Sequence, residues 1–169
     1  MKRRTFLYKG IAFSGMSLFF SNRLFAAANT KIDVIVDTSI INNSNINDAV
    51  EISDNRNLNV PSKPSSASSD IDQGKWVQWK PQVKKTPNNR GDQVSIDKIV
   101  KKGDPNGTSL LKGGNSHNGS NGVVKVDVRD DYVSDIWDYE IHITVKHGND
   151  PEKSFIVDPK LRMIPPDSF

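Results

Sequence analysis

The side chains that could do chemistry are few in this 169-residue chain, and the absence of cysteine narrows them further. Without a thiol there is no disulfide framework, no thiolate nucleophile, no iron-sulfur cluster, no cysteine-ligated zinc and no blue-copper centre. Three histidines remain, His117, His142 and His147. The last two stand five apart, and on one strand that odd spacing sends them to opposite faces, so they read as solvated surface histidines rather than a metal pair. Asp127, Asp130, Asp131 and Asp135 bring together the oxygens that a calcium ion requires, but Arg129 lies among them as a counter-charge and their spacing matches no ligand loop. Asp131 and Glu140 could supply the acid and base of a glycan hydrolase if folding sets their separation. No Gly-x-Ser-x-Gly elbow occurs, and Gly113-Gly114 belongs to no phosphate-loop signature, so no catalytic residue and no cofactor are assigned. Trp76 and Trp79, three apart, must face opposite ways on a strand. One of them is then expected to be partly exposed beside Lys75, Lys80, Lys84 and Lys85, as a candidate binding surface.

The elements that must position these residues are strands. Ile32, Val34 and Val36 alternate with Asp33 and Asp37 in a first strand, followed from Thr38 to Gly74 by an Asn-rich and then Pro/Ser-rich stretch. That stretch reads as a flexible segment with too little apolar surface to offset its ordering entropy, although Ala49, Val50 and Ile52 could make a short edge strand or helical turn. Lys75 to Lys80 is a further strand candidate. Asp92 to Lys102 is ambiguous, since Val94, Ile96 and Val100 suit alternation whereas Ile96, Ile99 and Val100 suit one face of a helix. Half of the 20 residues from Gly103 to Gly122 are Gly or Asn, which predicts a long loop ending in the turn dipeptide Asn121-Gly122 and launching a strand through Val124, Val126 and Val128. The clearest element sets Trp137, Tyr139, Ile141, Ile143 and Val145 against Asp138, Glu140, His142, Thr144 and Lys146. Phe155 and Val157, then Leu161 and Met163, continue the pattern. With no long amphipathic helix, the expected fold is all-β, a small antiparallel sandwich. Trp137 through Glu140 together with Val157-Asp158-Pro159-Lys160 resembles the closing hairpin of immunoglobulin-like and cupredoxin-like exported domains, and a cupredoxin relative lacking the cysteine ligand would be metal-free.

The first 28 residues are of another kind. They hold Lys2, Arg3, Arg4, Lys9 and Arg23 and no acid; removing these five leaves 18 Lys and Arg against 20 Asp and Glu, so the basic pI of 9.1 belongs to the leader and is no sign of nucleic-acid binding. A basic start, an apolar stretch from Gly10 to Phe20 and the small run Ala26-Ala27-Ala28 are the three parts of a secretory signal peptide. The apolar stretch is about half of what a membrane span needs. Arg3, Arg4, Phe6 and Leu7 resemble the twin-arginine (Tat) signal, with Lys2 in place of the usual Ser or Thr and Lys9 one position late. That resemblance implies recognition by the Tat translocase, export in the folded state, and cleavage after Ala28 with Ala26 and Ala28 as the small residues that the peptidase needs.

The chain is thus expected to divide into a leader (1–28), a first strand (29–37), a flexible segment (38–74) and a sandwich domain (75–169). The expected function is that of a periplasmic or secreted bacterial envelope protein without cofactor. It would bind as an accessory subunit, co-exported with a protein partner, with no nucleic acid and no permanent membrane anchor. A calcium-stabilised adhesion module and a carboxylate-dependent glycan hydrolase are the alternatives. Replacing both Arg3 and Arg4 by lysine is expected to trap the precursor in the cytoplasm, because lysine lacks the planar donor fork of a guanidinium. Fractionation and immunoblotting measure this, and normal processing of the double variant would exclude the Tat route.

Overall fold

The computed structural model describes residues 28–56, 61–89, 91–103 and 107–165. Arg3, Arg4, Phe6, Leu7 and Ala26 of the leader lie outside them. The described residues form ten strands and little helix. In chain order these are β1 (Thr30–Val36), a one-turn helix α1 (Ile46–Ala49), β2 (Val50–Asp54), β3 (Ser68–Ile71), β4 (Trp76–Val83), β5 (Gln93–Lys101), β6 (Ser116–Asn118), β7 (Val124–Asp127), β8 (Ile136–Lys146), β9 (Lys153–Val157) and β10 (Lys160–Met163). They pack as two sheets, one ordered β2-β1-β4-β7 and the other β3-β10-β8-β5-β6. The long strand β8 carries β10 along its first residues and β9 along its last ones, on the same side. The expected all-β sandwich is what the chain forms.

Both sheets are mixed rather than antiparallel. β1 runs parallel to β4, and β3 runs parallel to β10. Parallel neighbours need a crossover, and here the chain makes it through the opposite sheet: after β2 it passes across to lay down β3, then returns to place β4 beside β1. The described residues of 38–74 accordingly supply a strand to each sheet, and the sandwich does not begin at residue 75. Val50, Ile52, Ala67 and Ile71 are buried in the common core. Four of the asparagines that suggested solvation, Asn42, Asn45, Asn47 and Asn55, bond the backbone instead. Asn45 Oδ1 accepts from the Asn42 amide (2.7 Å) while its Nδ2 donates to the Ile40 carbonyl (2.7 Å), and Asn55 Oδ1 accepts from the Lys31 amide (2.7 Å). Side-chain amides of this kind close turns that would otherwise leave donors unpaired.

The core sits between the sheets. Ile32, Val34 and Val36 of β1, Val77 and Trp79 of β4, and Trp137, Tyr139, Ile141, Ile143 and Val145 of β8 are all buried, so the period-two pattern of β1 and β8 sets which face turns inward. Asn121 and Gly122 take the positive φ values, 52° and 75°, of a two-residue hairpin turn, closed by reciprocal Ser120 and Val123 hydrogen bonds of 2.8 and 3.1 Å. The loop expected from 103 to 122 also contains β6, which puts His117 opposite Ile99. In β5 the register against β8 shifts between Ile96 and Lys98. The extra residue, Asp97, lets Ile96 and Ile99 both point inward, which is why this stretch imitates a helix in sequence.

Gly119 approaches that bulge without a side chain. A Cβ there would lie 2.1 Å from the Ile96 carbonyl oxygen, where the Gly119 amide donates to the Asp97 carbonyl at 2.7 Å. Gly119→Ala is expected to cost about 2 kcal/mol or more through forced backbone displacement. Ile141→Ala should cost about 2 to 5 kcal/mol as a core cavity, and Thr144→Ala, on the outer face, about 1 kcal/mol or less. Urea denaturation measures all three, and equal costs at 141 and 144 would contradict the assigned faces.

Candidate functional site

A concave surface lies where β8 begins and β10 ends. Arg162 of β10 stands opposite Ile136 of β8, and both project outward. The chain between β7 and β8 is folded back over this corner by Val133, whose amide points at Met163 Sδ (3.4 Å) and whose side chain packs on the core. A groove of about 390 Å³ results, lined by Tyr132, Ile136, Met163, Ile164 and Pro165, with Asp70, Ser134, Asp135 and Arg162 as its polar members. Ile136 is 53 % exposed and Tyr132 39 %. At one side Arg162 forks onto Asp70, with Nε donating to Oδ1 (2.8 Å) and Nη2 to Oδ2 (3.0 Å), which ties β10 to the edge strand β3.

A second, smaller cleft, about 160 Å³, is bounded by Thr38, Ser39, His147, Asp150 and Phe155. Behind it the Asp92 side chain is almost wholly buried (1 % exposed) and gathers three chain segments: Thr38 Oγ1 and His147 Nδ1 (2.6 Å) donate to Oδ2, and the Gly148 amide donates to Oδ1 (2.9 Å). The Thr38 hydroxyl first, then His147 and Gly148, hold the Asp92 carboxyl below its ordinary range. A buried carboxylate on Nδ1 is the wiring of a general base, but the cleft offers it no nucleophile. The Thr38 proton is given to Asp92, and the Ser39 proton goes to Asp37 Oδ1 at 2.7 Å. The arrangement is a clamp joining the end of β1, the start of β5 and the β8–β9 turn.

The expected site residues are dispersed. Trp79 is wholly buried and donates through Nε1 to the Tyr139 hydroxyl (2.9 Å), so it is removed from the candidate binding surface. Trp76 faces outward, as the spacing required of one of the pair, but Lys125 Nζ stands 4.3 Å from its ring centroid and covers it. Among the acidic residues, Asp130 pairs with Lys112 (2.8 Å) and Asp131 with Arg129, while Asp127 is in β7 opposite Trp76 and Asp135 lies at the groove. Among the described residues no three His, Asp or Glu side chains come close enough to share a metal ion. Glu140 is engaged by His142 Nε2 (2.9 Å) on the outer face of β8, a different partnership from that of Asp131 with Arg129. His117 sits in β6 with Nε2 near the Gly114 carbonyl (2.9 Å), and burial lowers its pKa.

Asp37 is held low as well, chiefly by Ser39 and then by Asn89. Both depressed carboxylates stabilise the fold above the unfolded value of 3.8, and that contribution is lost as pH falls through their folded values. The melting temperature should therefore drop steeply below about pH 4. Asp92→Asn should lower it at neutral pH, by about 1 to 3 kcal/mol of stability, and flatten the acid limb. An unchanged acid limb in this variant, followed by calorimetry, would rule the clamp out.

No family model matches the chain, and no curated protein does. Among solved structures the chain is similar to an inclusion body protein (PixA) from Burkholderia cenocepacia J2315. The likeness covers 85 % of this chain and 99 % of that one, at a TM-score of 0.47 and 11 % identity.

Proposed function

We propose that this protein is an exported binding subunit of the bacterial cell envelope, carried out by a Tat-type leader and joined to a partner protein through the groove at Tyr132 and Ile136. The observation that carries the reading is the exposure of that groove's apolar wall. Ile136 and Tyr132 are two of four large hydrophobic side chains that stand exposed among the described residues, and they line one depression with Ile164 and Pro165. A pocket built for a small molecule encloses its apolar lining. A shelf with its largest side chains half in water is the kind that a macromolecular surface covers, with the Asp70–Arg162 fork and Asp135 as a polar rim. The occupant that fits is an apolar side-chain cluster from a folded or extended partner segment. The charge balance of the chain after the leader, and the pairing of Asp130 and Asp131 with basic neighbours, support protein binding over nucleic-acid or calcium binding.

A photo-crosslinking residue placed at position 136 in the exported protein should capture one envelope protein, whereas the same residue at Ile156, also exposed, on β9, should not. Ile136→Glu should abolish co-purification of that protein while changing stability by less than about 0.5 kcal/mol. Equal capture at both positions, or co-purification that survives Ile136→Glu, would overturn the groove as the interface.

A further inference from the structure

The start of the described chain is bound into the fold by a buried ion pair that the groove and the clamp do not use. Asp72 follows β3 and Arg56 follows β2, and their side chains are 3 % and 10 % exposed. Arg56 Nη1 donates to Asp72 Oδ2 and also to the Ala28 carbonyl (3.2 Å), while the Ala28 amide donates to the same Asp72 oxygen at 2.6 Å. Asp72 Oδ1 is buried with no hydrogen-bond partner among the described residues. The next residue is fixed independently: the Trp76 amide donates to Asn29 Oδ1 (3.1 Å), and Asn55 Nδ2 donates to the Asn29 carbonyl (3.2 Å).

The Ala28 carbonyl and the Asn29 nitrogen belong to the peptide bond at which the leader is expected to be cut. We infer that the Asp72–Arg56 pair is a receptor for the mature N-terminus, in which the α-ammonium of Asn29 created by leader removal binds the Asp72 carboxylate. This inference rests on the export reading proposed above. In the cleavage, water breaks the Ala28–Asn29 bond; its oxygen joins the Ala28 carbonyl carbon as the leader's new carboxylate, and the Asn29 nitrogen ends protonated. The departing Ala28 takes an amide donor away from Asp72 and a carbonyl acceptor away from Arg56. A buried carboxylate has about four acceptor sites, and leaving them unfilled is costly. The new ammonium brings three donors and a charge to a carboxylate whose second oxygen is vacant, held nearby by the two Asn29 bonds that survive the cut. The amide it replaces bonds the carboxylate as a neutral donor; the ammonium adds a full positive charge, so both partners of the bond are then ionic. Processing then stabilises the fold as well as releasing it.

The test compares three purified proteins: the chain beginning with free Asn29, the same chain Nα-acetylated, and a chain retaining Ala26-Ala27-Ala28. The free-amine protein should melt about 3 °C or more above the other two, and Asp72→Asn should erase that difference. Should Asp72→Asn fail to fold, the acetylated protein alone decides, because it removes the charge without touching the sequence. Equal melting temperatures for the free and acetylated forms would overturn the receptor while leaving export intact. Mass spectrometry of the protein recovered from cells gives the other arm. A chain still carrying residues 1–28 would overturn the export reading, and the receptor's role with it.

Discussion

The hydrogen bond from Trp79 Nε1 to the Tyr139 hydroxyl is the constraint around which the sandwich is arranged, because it joins an inner strand of one sheet to the longest strand of the other inside a dry core. Burial of the phenol pushes its pKa far up, so the hydroxyl stays neutral and can accept the indole proton at any ordinary pH. Around it Trp79 meets Tyr139 edge-on, and Trp137 stacks on Tyr139, each at 5.8 Å between ring centroids. Aromatic pairs with fixed polar ends tolerate one relative placement of two sheets where a purely aliphatic core tolerates several. With β4 and β8 set in this way, the chain segments that follow them are set too: β7 beside β4, the corner over Val133, and the groove at Ile136.

The strands that read most clearly in sequence are those with one face in water. β8 and β1 alternate because Asp138, Glu140, His142 and Thr144, or Asp33 and Ile35, leave the core while their neighbours enter it. What could not be read was pairing over distance. Nothing in Ser68–Ile71 announces a strand, since Ser69 and Asp70 are poor strand formers. The segment is held by β10 through the register Ser68 to Lys160 and by the Asp70–Arg162 fork, contacts that exist only once the last strand is in place. The asparagines from 42 to 55 were misleading for a related reason. Composition cannot distinguish an amide bonded to water from one bonded to its own backbone.

The site was legible in parity and not in identity. Spacing required that Trp76 and Trp79 part company, but only the approach of Tyr139 decides which goes inside. Ile136 had a signal of its own: it precedes the alternation of β8 and falls on the polar face, where an isoleucine has no core to fill. Asp92 had none, because its partners Thr38 and His147 are 54 and 55 residues away. Asp72 and Arg56 are equally silent in sequence, since their meaning comes from the backbone segment just before β1.

The parallel pairing of β3 with β10 has a consequence for the order in which the molecule comes into being. The pairing closes over 92 residues, and β10 is the last strand of the described residues, so the larger sheet is completed only once residues 160–163 have been made. Such long-range closure is slow, and until it happens Trp137 and the first residues of β8 lack the neighbour that covers them. Because Arg162 and Met163 of β10 are walls of the groove, the groove itself does not exist before that moment.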